Sequence, residues 1–342
     1  MFCHARFVNP ARMFLLLWTL VLIAAFVGLM VGSVNIAPRQ VLGCLMRLLS
    51  GAGCSDATDR ILWSVRLPRI ILSLAVGASM GMTGLAAQTL FRNPLASPYV
   101  MGVSNGAAVG AVLGLLLVGR GVGYGAVPLF SMASAFAVTM ALFLLARRGR
   151  QFGQSLLLAG IAVSAFCSAL TAGALYLAGE RLQTLVFWLM GGIWQATWRD
   201  VFIMLPVCGV CFVVLRLLAP GMNVALVGER SARDLGLEVR RLQQGLLWLV
   251  AGVTAVAVSL TGVIGFVGLI VPHVLRLVMG ADHRGLVPAT ALGGALLLLI
   301  ADTLARTVAA PAEIPVGILT TLVGAPVFLW MLQRRGAGVG PP

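Results

Sequence analysis

The chain has 342 residues, of which 60% are apolar and only 10% charged, with a mean hydropathy of +1.02; an average soluble domain carries roughly 25% charged residues. This composition excludes an ordinary soluble fold and describes an all-helical polytopic membrane protein, and at about 20 residues per span the length holds about ten crossings joined by short loops. The net charge of +14 does not point to nucleic acid, because the basic residues flank apolar runs or sit in short loops and form no stripe on a soluble face.

All 24 basic residues are arginine. Without lysine there is neither a Walker-type phosphate lysine nor a Schiff-base lysine, so if ATP drives this protein another chain binds it. Cys208 and Cys211 form a C-x-x-C, but inside an apolar run and away from any βαβ pattern, so they read as small packing residues. His4, His273 and His283 have no ligand spacing among themselves or with cysteine, and neither a metal site nor a cofactor is expected in this chain.

The first apolar run, Met13 to Val31, follows Arg6 and Arg12 with the polarity of a signal peptide, yet lacks a small-x-small cleavage site and is long enough to span. It reads as an uncleaved first helix. Asn35 to Val65 is mixed, with a loop at Gly51 to Asp56. Further spans are predicted at Pro68 to Phe91, Tyr99 to Val118, Ala126 to Ala146, Gln154 to Ala178, Val201 to Ala219, Gly245 to Thr261, Ile264 to Met279, Leu286 to Arg306 and Ile314 to Leu332. Leu182 to Trp194 is too short for a span and reads as re-entrant or interfacial.

Ten spans with a cytoplasmic N-terminus collect Arg92, Arg147, Arg148, Arg150, Arg230, Arg233, Arg240, Arg241, Arg284, Arg334 and Arg335 on the inside. An eleventh crossing would scatter them, so both termini are expected in the cytoplasm, with Asp56 and Arg181 outside. The glycines at 77 and 81, and at 102, 106, 110 and 114, recur at helical spacing and suit close helix packing in lipid. Pro128, Pro206, Pro272, Pro315 and Pro326 lie in or beside spans, where they interrupt helical hydrogen bonding. Among carboxylates only Asp302 and Glu313 come near the hydrocarbon, both toward helix ends, which counts against a proton-coupled secondary transporter, the alternative of a different class.

One segment stands apart. Residues 228 to 239 hold three acidic side chains, Glu229, Asp234 and Glu238, of the ten in the chain. A short amphipathic segment with Leu235 and Leu237 to fill a groove and Glu229, Arg230, Arg233 and Asp234 to fix orientation suits a docking surface that transmits a rigid-body motion to the helices it joins.

Several motifs occur together and in order: Arg66-Leu67-Pro68-Arg69; Gln88 followed by Phe91-Arg92-Asn93-Pro94-Leu95-Ala96-Ser97-Pro98; Leu157-Leu158-Ala159-Gly160; the 228 to 236 loop; Gly265-Phe266-Val267-Gly268-Leu269-Ile270-Val271-Pro272-His273; Ala301-Asp302; and Glu313-Ile314-Pro315-Val316-Gly317. In these the chain resembles FecCD-type permeases, the membrane subunits of ABC importers for iron-siderophores, haem and cobalamin. The resemblance implies a type II importer permease fold of ten helices, one transmembrane domain over residues 1–342 in a bacterial inner membrane, and a homodimer with a central pathway. It further implies two cytoplasmic ATPase subunits carrying ATP and magnesium, a periplasmic binding protein, and no catalytic residue in this chain. By the same resemblance, a coupling helix pair lies within 222–243, with Gly228, Glu229, Arg230, Ala232, Arg233, Asp234, Leu235 and Gly236 contacting the ATPase. Asn93 and Leu95 form a cytoplasmic gate with Gly153 and Gln154 as a second element, and Arg66, Arg69 and Arg306 dock the binding protein. The expected cargo is a ferric siderophore or haem, with cobalamin as the alternative.

Overall fold

The computed structural model describes residues 9–32, 34–49, 56–99, 102–118, 125–147 and 152–336. In chain order its helices are α1 (Pro10–Met30), α2 (Pro38–Leu49), α3 (Ala57–Ile61), α4 (Leu67–Phe91), α5 (Val103–Val118), α6 (Ala126–Ala146), α7 (Phe152–Tyr176), α8 (Leu182–Leu189), α9 (Trp198–Ala225), α10 (Glu229–Asp234), α11 (Val239–Thr261), α12 (Val267–Met279), α13 (His283–Ala305) and α14 (Val316–Gly336). The described residues contain no strand.

Each of the ten predicted spans is a helix, and seven of them are long and apolar enough to cross a membrane. Of the others, α5 and α12 are shorter, at 16 and 13 residues, and the described residues just before each within its predicted span, Tyr99 and Gly102 for α5 and 264–266 for α12, are not helical; α14, at 21 residues, begins two residues into its predicted span. Irregular backbone at that depth is tolerated where it is buried in protein or lines a cavity, which makes these stretches the functional candidates of the bundle. At eight residues, α8 is about 12 Å long, too short to span.

The core is built around α4, which packs against α13, α9, α12 and α11 and is buried from Ile70 almost without interruption to Leu90. Its small residues bring backbones together. A Cβ at Gly77 or Gly81 would stand 2.3 Å from the carbonyl oxygen of Gly294 or Thr290 on α13, and one at Gly84 would stand 1.8 Å from that of Gly268 on α12. The α5 stripe does the same against α6, with a Cβ at Gly110 falling 2.1 Å from the Phe130 oxygen. Gly102 is not part of that helical face: it precedes α5 with a φ of +75°.

The stretch read as mixed between residues 35 and 65 holds more order than its pattern announces. Val41 and Cys44 of α2 pack with Leu29, Leu62 and Ile70. Arg47 donates to both carboxylate oxygens of Asp59, at 3.1 and 2.6 Å, pinning α2 to α3. From α3 the chain runs through one π turn, Leu62–Arg66, directly into α4. Residues 51–55 of the expected loop lie outside the described residues.

Four of the arginines assigned to one side by charge make contacts with other parts of the chain: Arg92 meets Glu229, Arg240 donates to the Arg147 carbonyl at 3.1 Å, and Arg216, outside that set, donates to the Arg284 carbonyl at 2.7 Å. Single cysteines introduced as Arg147→Cys and Glu229→Cys, in a background lacking the native six, are expected to react with an impermeant thiol reagent only in opened or inside-out vesicles. Asp56→Cys and Arg181→Cys are expected to react in intact cells, and outside labelling at position 229 would overturn this topology.

Candidate coupling and gate region

The charged segment is built by two glycines. Gly228, at φ +111°, ends the run from α9, and Gly236, at φ +82°, ends α10. The Gly236 N–H donates to the Arg233 carbonyl at 2.8 Å and the Leu237 N–H to that of Ala232 at 2.9 Å, a left-handed C-terminal cap that favours glycine. Nothing stands within 4 Å of a Cβ added at either glycine, so it is the backbone turn and not packing that calls for them. The result is one six-residue helix, not the expected pair.

Ala232 is buried beneath α10, while Arg230, Arg233 and Asp234 face solvent and Leu235 is 68% exposed. Leu226 and Val227 beside them are exposed as well. An apolar surface framed by charges at the arginine-rich end is therefore on offer to a partner. Leu237, expected to share in it, instead packs against the core near Gly221.

Glu229 is half-buried and divides its carboxylate between the bundle and α10 itself. One carboxylate oxygen lies 3.7 Å from Arg92 Nη2 and accepts from Gln243 Nε2 at 3.3 Å, and the other accepts from Arg233 at 3.4 Å. Arg92 caps α4 in the left-handed conformation, φ +49°, with its N–H directed at the Gln88 and Thr89 carbonyls. The next residues form a compact turn in which Asn93 N–H donates to the Gln88 carbonyl at 3.1 Å, Asn93 Oδ1 accepts from the Leu95 N–H at 2.9 Å and the Asn93 carbonyl from the Ala96 N–H at 3.0 Å. The two gate residues predicted here thus sit on a self-bonded turn fixed to the end of α4. The surroundings of Gly153 and the side chain of Gln154, at the start of α7, lie outside what the structure describes.

Beneath this surface is a polar knot that sequence spacing did not single out. His283, fully buried at the start of α13, brings its N–H and Nδ1 each to 2.8 Å from Asn223 Oδ1 on α9, and its Nε2 to 2.8 Å from Thr89 Oγ1 on α4. Asn223 Nδ2 donates to Asp282 at 2.6 Å. The Arg284 backbone N–H and the Asn223 amide hold the Asp282 carboxyl below the usual carboxylate range.

At the other end the three arginines expected to dock a binding protein are sealed inside the chain, so the expectation that they are presented outward is corrected. Arg66, Arg69 and Arg306 are 4%, 6% and 5% exposed. Arg66 donates to the carbonyls of Leu29 and Val34. Arg69 donates through Nε and Nη2 to Asp302 at 3.0–3.1 Å and through Nη1 to both oxygens of Glu313 at 2.9 and 3.0 Å. Arg306 donates to the Gly28 carbonyl at 2.9 Å and lies 3.9 Å from Asp302. A fully buried Asp302 demands this company, since an uncompensated carboxylate would not survive there; low hydropathy near the start of α4 signalled charge but not its direction.

Between the two ends, non-helical residues before α5 and α12, together with the first turns of α14, line one largely apolar cavity of about 640 Å³, with Tyr99, Met190, Val263, Phe266 and Thr321 on its wall.

The model of the FecCD transport family matches residues 20–334. The chain belongs to the FecCD transport family. Along most of its length it is similar to named permeases of that kind. It is 40% identical over 328 residues to the hemin transport system permease protein HmuU of Yersinia pestis, covering 92% of this chain and 94% of the relative. It is 43% identical over 283 residues to the cobalamin import system permease protein BtuC of Halobacterium salinarum, covering 83% and 76%. It is 39% identical over 331 residues to the vitamin B12 import system permease protein BtuC of Escherichia coli, covering 95% and 96%. In three dimensions it is similar to a metal-chelate type ABC transporter in an inward-facing conformation, with a TM-score of 0.84 and 30% identity over 95% of this chain and 99% of that one. As a FecCD permease the protein is a multi-pass membrane transport subunit.

Proposed function

We propose that this chain is the pathway-forming subunit of an ATP-driven importer of a metal chelate, working as a pair of copies with two ATPase subunits at the α10 end and a binding protein at the other. The observation that carries the reading is the charged α10 surface, left exposed at the arginine-rich end of an otherwise apolar bundle that brings no lysine for phosphate binding. That end is the cytoplasmic one by the positive-inside rule, and the membrane is the bacterial inner membrane.

A second copy suits the exposed apolar faces of α7, with Leu158 and Phe166 at 69% and 65% exposure, and of α14, with Leu322 at 67%. Two such faces would close the open side of the cavity near Phe266 into a central pathway, gated at the Asn93–Leu95 turn. The cargo is a ferric siderophore, haem or a corrinoid; the names of the relatives favour the two tetrapyrrole-type chelates. A secondary transporter would need a carboxylate free to take up and release an ion, whereas Asp302 and Glu313 are both committed to Arg69.

Reconstituted with its ATPase and binding protein, the permease is expected to concentrate one of hemin, cyanocobalamin or a ferric siderophore in proteoliposomes only when ATP is supplied on the α10 side. Uptake driven by a proton or sodium gradient without ATP would refute the importer reading. Changing the exposed surface by Leu235→Glu should weaken ATPase association about tenfold or more in pull-down titrations while the permease remains monodisperse, because a buried apolar contact would be replaced by an unpaired charge.

A further inference from the structure

The exposed part of α10 explains how a partner is held but not how its motion reaches the pathway. We propose that Arg92 is a positioning residue: α10 moves the Asn93–Leu95 turn through the Glu229–Arg92 contact, while Asn223, His283 and Thr89 hold that same turn of α4 to the end of α9. The inference rests on the reading of α10 as the ATPase-docking element.

Four observations converge on it. First, α10 is a short rigid unit between two glycines of positive φ with open space around them, the arrangement of a lever with a hinge at each end. Second, Glu229, at the first position of α10, spends its carboxylate on Arg92 and Gln243 of the bundle as well as on Arg233, so tilting α10 moves the counter-charge of Arg92. Third, Arg92 occupies a left-handed capping position where glycine is the residue of least strain. An exposed ion pair adds little to stability, so what an arginine contributes there is its reach to Glu229. Fourth, the turn that follows is bonded to itself and to Gln88, so displacement of Arg92 carries Asn93 and Leu95 with it and is not absorbed by a slack loop.

The buried knot supplies the second hold. Asn223 lies two residues before the end of α9, and its contacts run through His283 to Thr89, three residues before Arg92. The last turn of α4 is thereby gripped from α9 on the buried side and from α10 on the exposed side, and the gate turn follows the difference between the two.

The test uses the complete transporter in proteoliposomes, with hemin and cyanocobalamin as uptake probes. In a cysteine-free background carrying Leu95→Cys as a reporter, the rate of labelling by an impermeant thiol reagent is measured with and without vanadate-trapped nucleotide. Arg92→Gln is expected to lower imported probe per ATP hydrolysed at least fivefold and to remove the effect of nucleotide on labelling at position 95. Arg92→Lys should retain most of both, and the exchange Arg92→Glu with Glu229→Arg should recover at least half of the wild-type response. A nucleotide response at position 95 that survives Arg92→Gln unchanged would overturn the proposal and leave the importer reading intact. If Arg92→Gln does not assemble, the exchange variant decides: assembly with the response restored supports the contact, and assembly with no response refutes it. A wild-type complex with ATP-independent uptake and no nucleotide response would instead bring down the importer reading itself, and the inference with it.

Discussion

Asp302→Ala is expected to remove most of the folded protein. Asp302 is fully buried and faces two guanidinium groups, Arg69 at 3.0 Å and Arg306 at 3.9 Å, both nearly sealed from solvent. Deleting the carboxylate leaves those charges in a low-dielectric site, and breaking a buried pair from one side costs about 3–5 kcal/mol. Size-exclusion profiles in detergent should show loss of the monodisperse peak, and any surviving protein should unfold on the order of 5 °C or more lower. Asp302→Asn, which keeps the shape and two hydrogen-bonding groups, should fall between. Glu313→Gln should be milder still, since Glu313 is 37% exposed and water screens what is lost. An Asp302→Ala protein with wild-type yield and midpoint would show that the network stores no such energy.

The same geometry sets the terms on which the arginines of this end could meet a partner. Arg69 already directs Nε, Nη1 and Nη2 to Asp302 and Glu313. Reversing it to Glu would place three carboxylates together, so the first effect expected is lost assembly, before any effect on docking. Salt-dependent weakening of binding-protein affinity by Arg69→Glu, in a permease of normal yield and thermal midpoint, would mean that the guanidinium leaves this network in the assembled transporter.

Sequence pattern and structure agree where a single physical rule governs. Apolar runs become helices because an unpaired backbone group in hydrocarbon is costly. Gly77 and Gly81 read as packing faces and are packing faces, since helices in lipid approach through small residues. The rule fails where two environments meet in one segment. Hydropathy alone extends α5 back to Tyr99 and α12 back to Ile264, because residues lining a mid-depth cavity are as apolar as those facing lipid. α2 was missed for the opposite reason: its twelve residues are too few for a span and too mixed for hydropathy, although Val41 and Cys44 face the core.

At the candidate site, the position of the charged segment along the chain was legible but the direction of its side chains was not. Leu237 turns inward and Glu229 partly so, while Leu235 turns out, and a six-residue helix has too little periodicity to say so beforehand. Asn223, His283 and Thr89 lie 60 and 194 residues apart along the chain, and no spacing rule joins three such residues. The direction of the three arginines was hidden on the same ground. A charge near a helix end has two outlets, solvent or a buried partner, and the partner Asp302 stands 233 residues from Arg69.

The second large effect expected is from a change of one methyl group. Gly84→Ala places a Cβ at 1.8 Å from the Gly268 carbonyl oxygen and 2.5 Å from the Gly268 Cα. Both obstacles are backbone atoms, so no rotamer change relieves the clash, and α12 must move away from α4. Overpacking of a core costs about 1–3 kcal/mol where side chains give way, and the figure here should lie at or above that range. The displacement would also strain the hydrogen bond from Gln88 Nε2 to the Leu269 carbonyl, 3.1 Å long and one turn further along the same contact. The control is Gly252→Ala on α11, where nothing lies within 4 Å of the new Cβ and alanine gains about 0.5–1 kcal/mol of helix preference over glycine. Thermal midpoints in detergent should therefore separate in opposite directions, with Gly252→Ala equal to or above wild type and Gly84→Ala several degrees below or unassembled. Because α12 follows the 262–266 stretch that walls the cavity near Phe266, any Gly84→Ala protein recovered should also transport poorly for its amount. Equal midpoints for the two variants would mean that α4 and α12 do not touch at this depth, and the packing on which the gate turn is mounted would have to be redrawn.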